Sequence, residues 1–157
     1  MLTDDGDIPR AVGYVTIYSA YLEERIDDLL FKLDPLEKYE AQERKWPISR
    51  KLKKCENILK SVDHDVAREI LSDLELCKDQ FEWRNKIIHG RIYAPEYHAE
   101  NLKSGRTNVP DIKATSEEIY TLANNLDELN TRIYRPQIFG IDRMLGDLGF
   151  PIFKEIK

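Results

Sequence analysis

The sequence predicts an all-α protein, an antiparallel bundle of four main helices with a short helix at the C-terminal end. Three observations carry this. Apolar residues recur every third and fourth position through four long stretches, the period of a helix buried along one side. Proline and glycine stand between those stretches, at Pro35, Pro47, Gly90, Pro136 and Gly149. Thr115-Ser-Glu-Glu118 is a capping box, in which the threonine and the second glutamate satisfy each other's backbone amides at a helix start.

Taken in order, residues 1–6 read as a loose tail. A helix starts near Asp7 to Pro9, with an acidic cap and a proline tolerated in the first turn. Its stripe is Val12, Val15, Tyr18 with Ser19, Leu22, Ile26, Leu29, Leu30 and Leu33, ended by Pro35. Residues 36–46 are highly charged and read either as a helical turn or as a linker. From Pro47 to Val62 the period returns, with Ile48, Leu52, Cys55, Ile58, Leu59 and Val62. Asp63 or Asp65 caps the central helix, which runs to about His89 and is closed by Gly90 as a left-handed stop. Residues 91–115 show no period and read as a long loop or a hairpin around Ser104-Gly105-Arg106. The capping box then opens a helix to about Tyr134, broken by Pro136. A short amphipathic helix over 137–148 follows, stopped by Gly149 and Pro151.

With 157 residues, 41% apolar and 34% charged, the chain is long enough for one domain with a real core. The net charge of −5 gives no global attraction to nucleic acid, so any such surface must be local. Residues 41–60 are the one basic segment, with seven cations against two acids. That suits phosphate positioning, and it equally suits a solvated helix beside an acidic neighbour. Cys55 and Cys77 each sit on an apolar stripe and read as buried thiols of a reducing compartment. No apolar run approaches a membrane span and the first residues are acidic, which points to the cytoplasm and to no membrane partner. There is no P-loop, no dinucleotide fingerprint and no His or Cys at metal-ligand spacing, so neither a cofactor nor a metal is expected.

The central helix carries the unusual feature. Its core stripe runs Val66, Ile70, Leu74, Cys77, Phe81, Arg84, Ile88, an arginine set among apolar residues. A buried cation must be compensated, by an anion, an interface or an opening. Asn85 and His89 are four apart and share a neighbouring face, where an amide can fix an imidazole for acid–base work. Arg84 and His89 are five apart, roughly 140° around an ideal helix, so a frayed end or a second protomer is needed to bring them together. Glu23 or Glu24 is either an ion partner for Arg84 or part of a solvated acidic face. A second apolar line, Leu76, Trp83 and Ile87, suggests burial on two sides and hence a homodimer along this helix.

Arg84-Asn85-x-x-x-His89 resembles the R-x(4–6)-H signature, often R-N-x-x-x-H, of the HEPN superfamily. The resemblance covers the motif strictly and the helical layout loosely. It implies a small helical domain working as a homodimer, and a metal-independent endoribonuclease of toxin–antitoxin or phage-defence type. By the same resemblance Arg84, Asn85 and His89 are catalytic. His89 is then general acid or base and Arg84 stabilises charge at phosphorus, while Asn85 orients His89 or binds a ribose hydroxyl. The partners implied are RNA and an antitoxin or other regulatory protein. Some HEPN toxins are controlled by modification of a tyrosine two residues past the histidine, but this chain has Arg91 there and its nearest tyrosine is Tyr93. Lys51, Lys53, Lys54, Lys86, Arg91 and Tyr93 are the candidate RNA contacts. The alternative is a non-catalytic helical dimer of the same superfamily that binds a nucleotide or a partner protein.

Overall fold

The four stretches of helical period are four long helices in the computed structural model, which describes residues 1–93, 101–104 and 112–151. They are α1 (Ile8–Lys32), α2 (Ile48–Lys60), α3 (Asp65–His89) and α4 (Ser116–Phe139), with a short α5 (Ile141–Asp147). The architecture is all-α apart from three short strands in the stretch left open as loop or hairpin. Strands β1 (Gly90–Tyr93), β2 (Asn101–Ser104) and β3 (Ile112–Lys113) pair antiparallel in that order, Gly90 opposite Ser104 and Leu102 opposite Ile112. Among the described residues, no helix is long and apolar enough to cross a membrane.

The chain forms two compact units, residues 1–22 with 77–128, and residues 23–76 with 129–157. In the first, Ala11, Val15 and Leu22 of α1, Cys77, Phe81 and Ile87 of α3, and Ile119, Ala123 and Leu126 of α4 are buried. The tail expected to be loose is instead tied to α4. The Leu2 amide donates to Asn124 Oδ1 at 2.7 Å, Ser116 Oγ to Asp4 Oδ2 at 3.1 Å and the Tyr120 hydroxyl to Asp5 Oδ1 at 2.7 Å. That last bond pushes the Tyr120 phenol up to about 12, since the deprotonated form would lose it and face a carboxylate. The capping box forms as read, with the Thr115 amide on Glu118 Oε2 at 2.9 Å and the Glu118 amide on Thr115 Oγ1 at 3.3 Å.

In the second unit, Ile26, Leu29, Leu30 and Leu33, Leu52, Cys55 and Leu59, Ile70 and Leu74, and Ile133 with Ile141 and Met144 supply the core. Residues 36–46 resolve into a turn with a single 3-10 helix at Glu43–Lys45, pinned by ions. Lys51 Nζ reaches both oxygens of Asp27 at 2.8 Å, and the Tyr39 hydroxyl donates to Asp27 Oδ1 at 2.6 Å. Burial and that carboxylate hold the Tyr39 phenol far above its ordinary value. Cys55 and Cys77 are both buried and are not joined in a disulfide.

Three local expectations change. His64 shares the capping of α3 with Asp65: its Nδ1 accepts the Val66 amide at 3.2 Å, and that amide also bonds the Asp65 carboxylate. Gly90 does not take a left-handed conformation, because the backbone passes straight from α3 into the β1–β2 ladder; among the described residues the glycines with positive φ are Gly6 and Gly149. Pro136 does not break α4. Its fixed φ suits a helix and costs one hydrogen bond, while buried Ile133, Pro136 and Gln137 anchor the turn. Gln137 Nε2 donates to the Arg25 carbonyl at 2.8 Å, and Lys32 Nζ donates to the Gln137 carbonyl at 2.7 Å. The stop is Gly140, where a Cβ would stand 2.9 Å from the Pro136 carbonyl oxygen and 3.0 Å from Val66 Cγ1. Gly149 does stop α5, at φ +83, with the Phe150 amide on the Leu145 carbonyl and the Gly149 amide on that of Gly146.

Candidate active site at the end of α3

In the first unit, Arg84 is half-buried on the α3 stripe between buried Phe81 and half-buried Ile88. Its Nε donates to Ser19 Oγ of α1 at 3.3 Å, and its Nη1 donates to Asn85 Oδ1 at 3.0 Å. Ser19 is itself fully buried and donates its hydroxyl proton to the Thr16 carbonyl at 3.0 Å. With the proton committed there, the Ser19 oxygen presents a lone pair to the guanidinium. The core stripe of α1 is thus broken once by a polar residue, and that break receives the polar break in the stripe of α3. Ser19 was readable on its stripe. Its role as the acceptor for Arg84 was not, because the pairing of two helices is invisible to a one-helix period.

Asn85 is half-buried and spends its carbonyl oxygen on Arg84; among the described residues no hydrogen bond joins it to His89. The amide therefore orients the guanidinium, where the sequence had it orienting the imidazole. His89 is the last residue of α3 and is exposed, with β1 starting at the next residue. The helix stays regular up to His89, so the five-residue offset from Arg84 remains about 140° within one chain. Lys86 is exposed on the same turn, its ammonium 5.6 Å from the centre of the Trp83 ring. Arg91 and Tyr93 are described in backbone alone, and the turn expected at Ser104-Gly105-Arg106 lies outside the described residues beyond Ser104. Glu23 is half-buried and Glu24 exposed.

Of the second apolar line on α3, Leu76 and Trp83 are exposed, but Ile87 is only 4% exposed and belongs to the core of its own unit. Further exposed apolar residues of this unit lie on α1. Ile17 and Tyr21 are 47% and 51% exposed, flanked by exposed Gly13 and Ala20. The Tyr14 and Tyr18 rings stack beside them with centroids 6.0 Å apart.

The three lysines proposed for RNA sit in the second unit and divide sharply. Lys51 is held by Asp27, and Lys54 donates to both oxygens of Glu43 at 2.9 Å and to the Lys38 carbonyl at 2.8 Å. Only Lys53 of the three is exposed. No family model, curated protein or solved structure matches this chain.

Proposed function

We propose that this chain is a metal-independent endoribonuclease of HEPN type, a toxin or phage-defence effector that works as a homodimer. The observation that carries the reading is the half-buried Arg84, steered by Ser19 and Asn85, on the same helix end as an exposed imidazole, His89. Ser19 and Asn85 aim the guanidinium, and its planar fork matches two non-bridging oxygens of a phosphate. RNA brings its own nucleophile. The 2′-oxygen attacks phosphorus as its proton leaves to a base, the bond from phosphorus to the 5′-oxygen breaks, and that oxygen takes a proton from an acid. The product ends are a 2′,3′-cyclic phosphate and a 5′-hydroxyl. His89 serves as acid or base, a role worth roughly 10²–10⁴ in rate, and Arg84 stabilises the charge that grows at phosphorus.

The 140° offset between Arg84 and His89 favours a second copy as the source of the complementary group. The exposed side of α1 suits a second copy, because its residue sizes are complementary across Ile17. In an antiparallel pair centred there, Gly13 opposes Tyr21 and Tyr14 opposes Ala20, small against large. A second reading follows from the bond to Ser19, which also suits an arginine that only staples α1 to α3 in a non-catalytic, nucleotide-binding or protein-binding dimer. One experiment separates the two. RNA incubated in EDTA should be cut by the purified protein and left intact by His89→Ala; intact RNA in both would leave the binding reading.

A further inference from the structure

On the second unit, α2 divides its cations between two sides. Lys51 and Lys54 point inward onto carboxylates, whereas Arg50, Lys53, Asn57 and Lys60, spaced by three and four, line one exposed face. Arg50 packs over an aromatic ring, its guanidinium carbon 3.7 Å from the centre of the Trp46 indole. Trp46 is placed by the 3-10 turn before it and by Pro47 after it, so the platform stands at the mouth of α2. Beside it opens a cleft of about 610 Å³ lined by Trp46, Ser49, Arg50, Lys53 and Asn57, with Glu37 and Glu43 at its inner wall. Those two carboxylates are both drawn onto Lys54, Glu43 at 2.9 Å and Glu37 at 3.2 Å. Three cations, Arg50, Lys53 and Lys54, thus line the cleft against two carboxylates, for a net charge of +1. The two cations not engaged with Glu37 or Glu43 in an ion pair are Arg50 and Lys53.

We infer that this cleft is a platform for single-stranded RNA. A base stacks on the Arg50–Trp46 pair, Lys53 takes the adjoining phosphate, and Ser49 and Asn57 hydrogen-bond to sugar or base edges. The indole matters because it holds the guanidinium plane open and oriented, so little ordering is left for the ligand to bring about. Stacking on a flat cation beside a point charge is how a single strand is gripped without its sequence being read. This deepens the ribonuclease reading and rests on it for the identity of the ligand. It also moves RNA contact from Lys51 and Lys54, which are spent inside the fold, to Trp46, Arg50 and Lys53.

The test uses the indole itself. Trp46 and Trp83 are the only tryptophans, so a Trp83→Phe chain reports from Trp46 alone. Carrying His89→Ala as well, that chain is titrated with an octameric oligouridylate. Saturable quenching is expected, weakened about tenfold by Arg50→Ala. Lys53→Ala should lower the slope of log affinity against log salt by about 0.7. Circular dichroism should match the parent, since both side chains are exposed. Absent quenching, or quenching indifferent to Arg50→Ala, overturns the platform; so does equal binding of oligoglutamate, which would make it a carboxylate site. The two readings fail separately. Quenching with no RNA cleavage by the wild type removes the nuclease and keeps the platform, and cleavage with unaltered affinity in Arg50→Ala does the reverse.

Discussion

Lys54 holds Glu43 by both carboxylate oxygens, at 2.9 Å each, with the two side chains 9% and 10% exposed. The pair ties the turn before α2 to α2 itself. Hydrogen bonds from Lys54 hold the Glu43 carboxyl below its ordinary value against the opposing effect of burial. Burial alone would lower the Lys54 pKa, but its bonds to Glu43 and Glu37 outweigh this and raise it. Glu43→Gln should therefore destabilise the fold by roughly 1–2 kcal/mol at pH 7, because the Lys54 ammonium keeps only Glu37 and the Lys38 carbonyl as partners. Since the folded carboxyl is the stronger acid, its contribution is complete above the ordinary 4.5 and fades as pH falls below that value. Urea melts of wild type and variant should converge below pH 4; a constant gap across that range would refute the assignment.

Gly140 should not tolerate a side chain. A Cβ there would press on the Pro136 carbonyl and on Val66, and neither backbone nor a β-branched side chain yields cheaply. Gly140→Ala is expected to cost about 1–3 kcal/mol in thermal or urea unfolding. The same change at Gly13, with nothing within 4 Å, should be neutral or slightly stabilising as a helix substitution. Equal effects at the two glycines would contradict this packing.

How far the sequence carried can be judged from particular residues. Helix period and caps found α1, α2, α3 and the start of α4 within a residue or two, because Leu22, Ile26, Leu52, Ile70 and Leu126 obey a rule that acts along one helix. The end of α4 was misread, since Pro136 is rescued by partners distant in sequence and Gly140 is demanded by Val66. The sequence singled out Arg84 as anomalous, but its acceptor, Ser19, lies 65 residues away. The basic segment showed a charge balance without showing which lysines turn inward; that depends on Asp27 and Glu43. Ile87 was read as interface and is core, because a tryptophan and an isoleucine four apart look alike whether water or protein faces them.

Self-association through α1 predicts a charge-sensitive dimer. Ile17→Glu puts a carboxylate at the centre of the proposed pair, opposite its own copy, and should shift the protein to monomer by light scattering. Ile17→Leu should leave it dimeric. Both keep the protomer folded, because the Ile17 side chain is already half exposed. A wild type that is monomeric at tens of micromolar would remove the homodimer, whatever the variants do.

The chemistry at α3 gives the most exposed prediction. RNA cleavage in EDTA should leave a 2′,3′-cyclic phosphate or the 3′-phosphate formed when it hydrolyses. His89→Ala and Arg84→Ala should each abolish cutting with helicity unchanged, since one side chain is exposed and the other only half-buried. Arg84→Lys should not restore activity although charge is kept, because an ammonium cannot reach Ser19, Asn85 and two phosphate oxygens together. Ser19→Ala removes the acceptor that aims the guanidinium but no group that touches substrate. It should lower kcat about tenfold or more while leaving KM for RNA nearly unchanged. A structural staple would behave otherwise, losing stability in Arg84→Lys and Ser19→Ala alike with no effect on a cleavage rate that was never there. The last control is on the substrate. A single 2′-deoxy nucleotide at the scissile position removes the only nucleophile in the scheme, so cutting that survives it would sink the proposed reaction even with the fold intact.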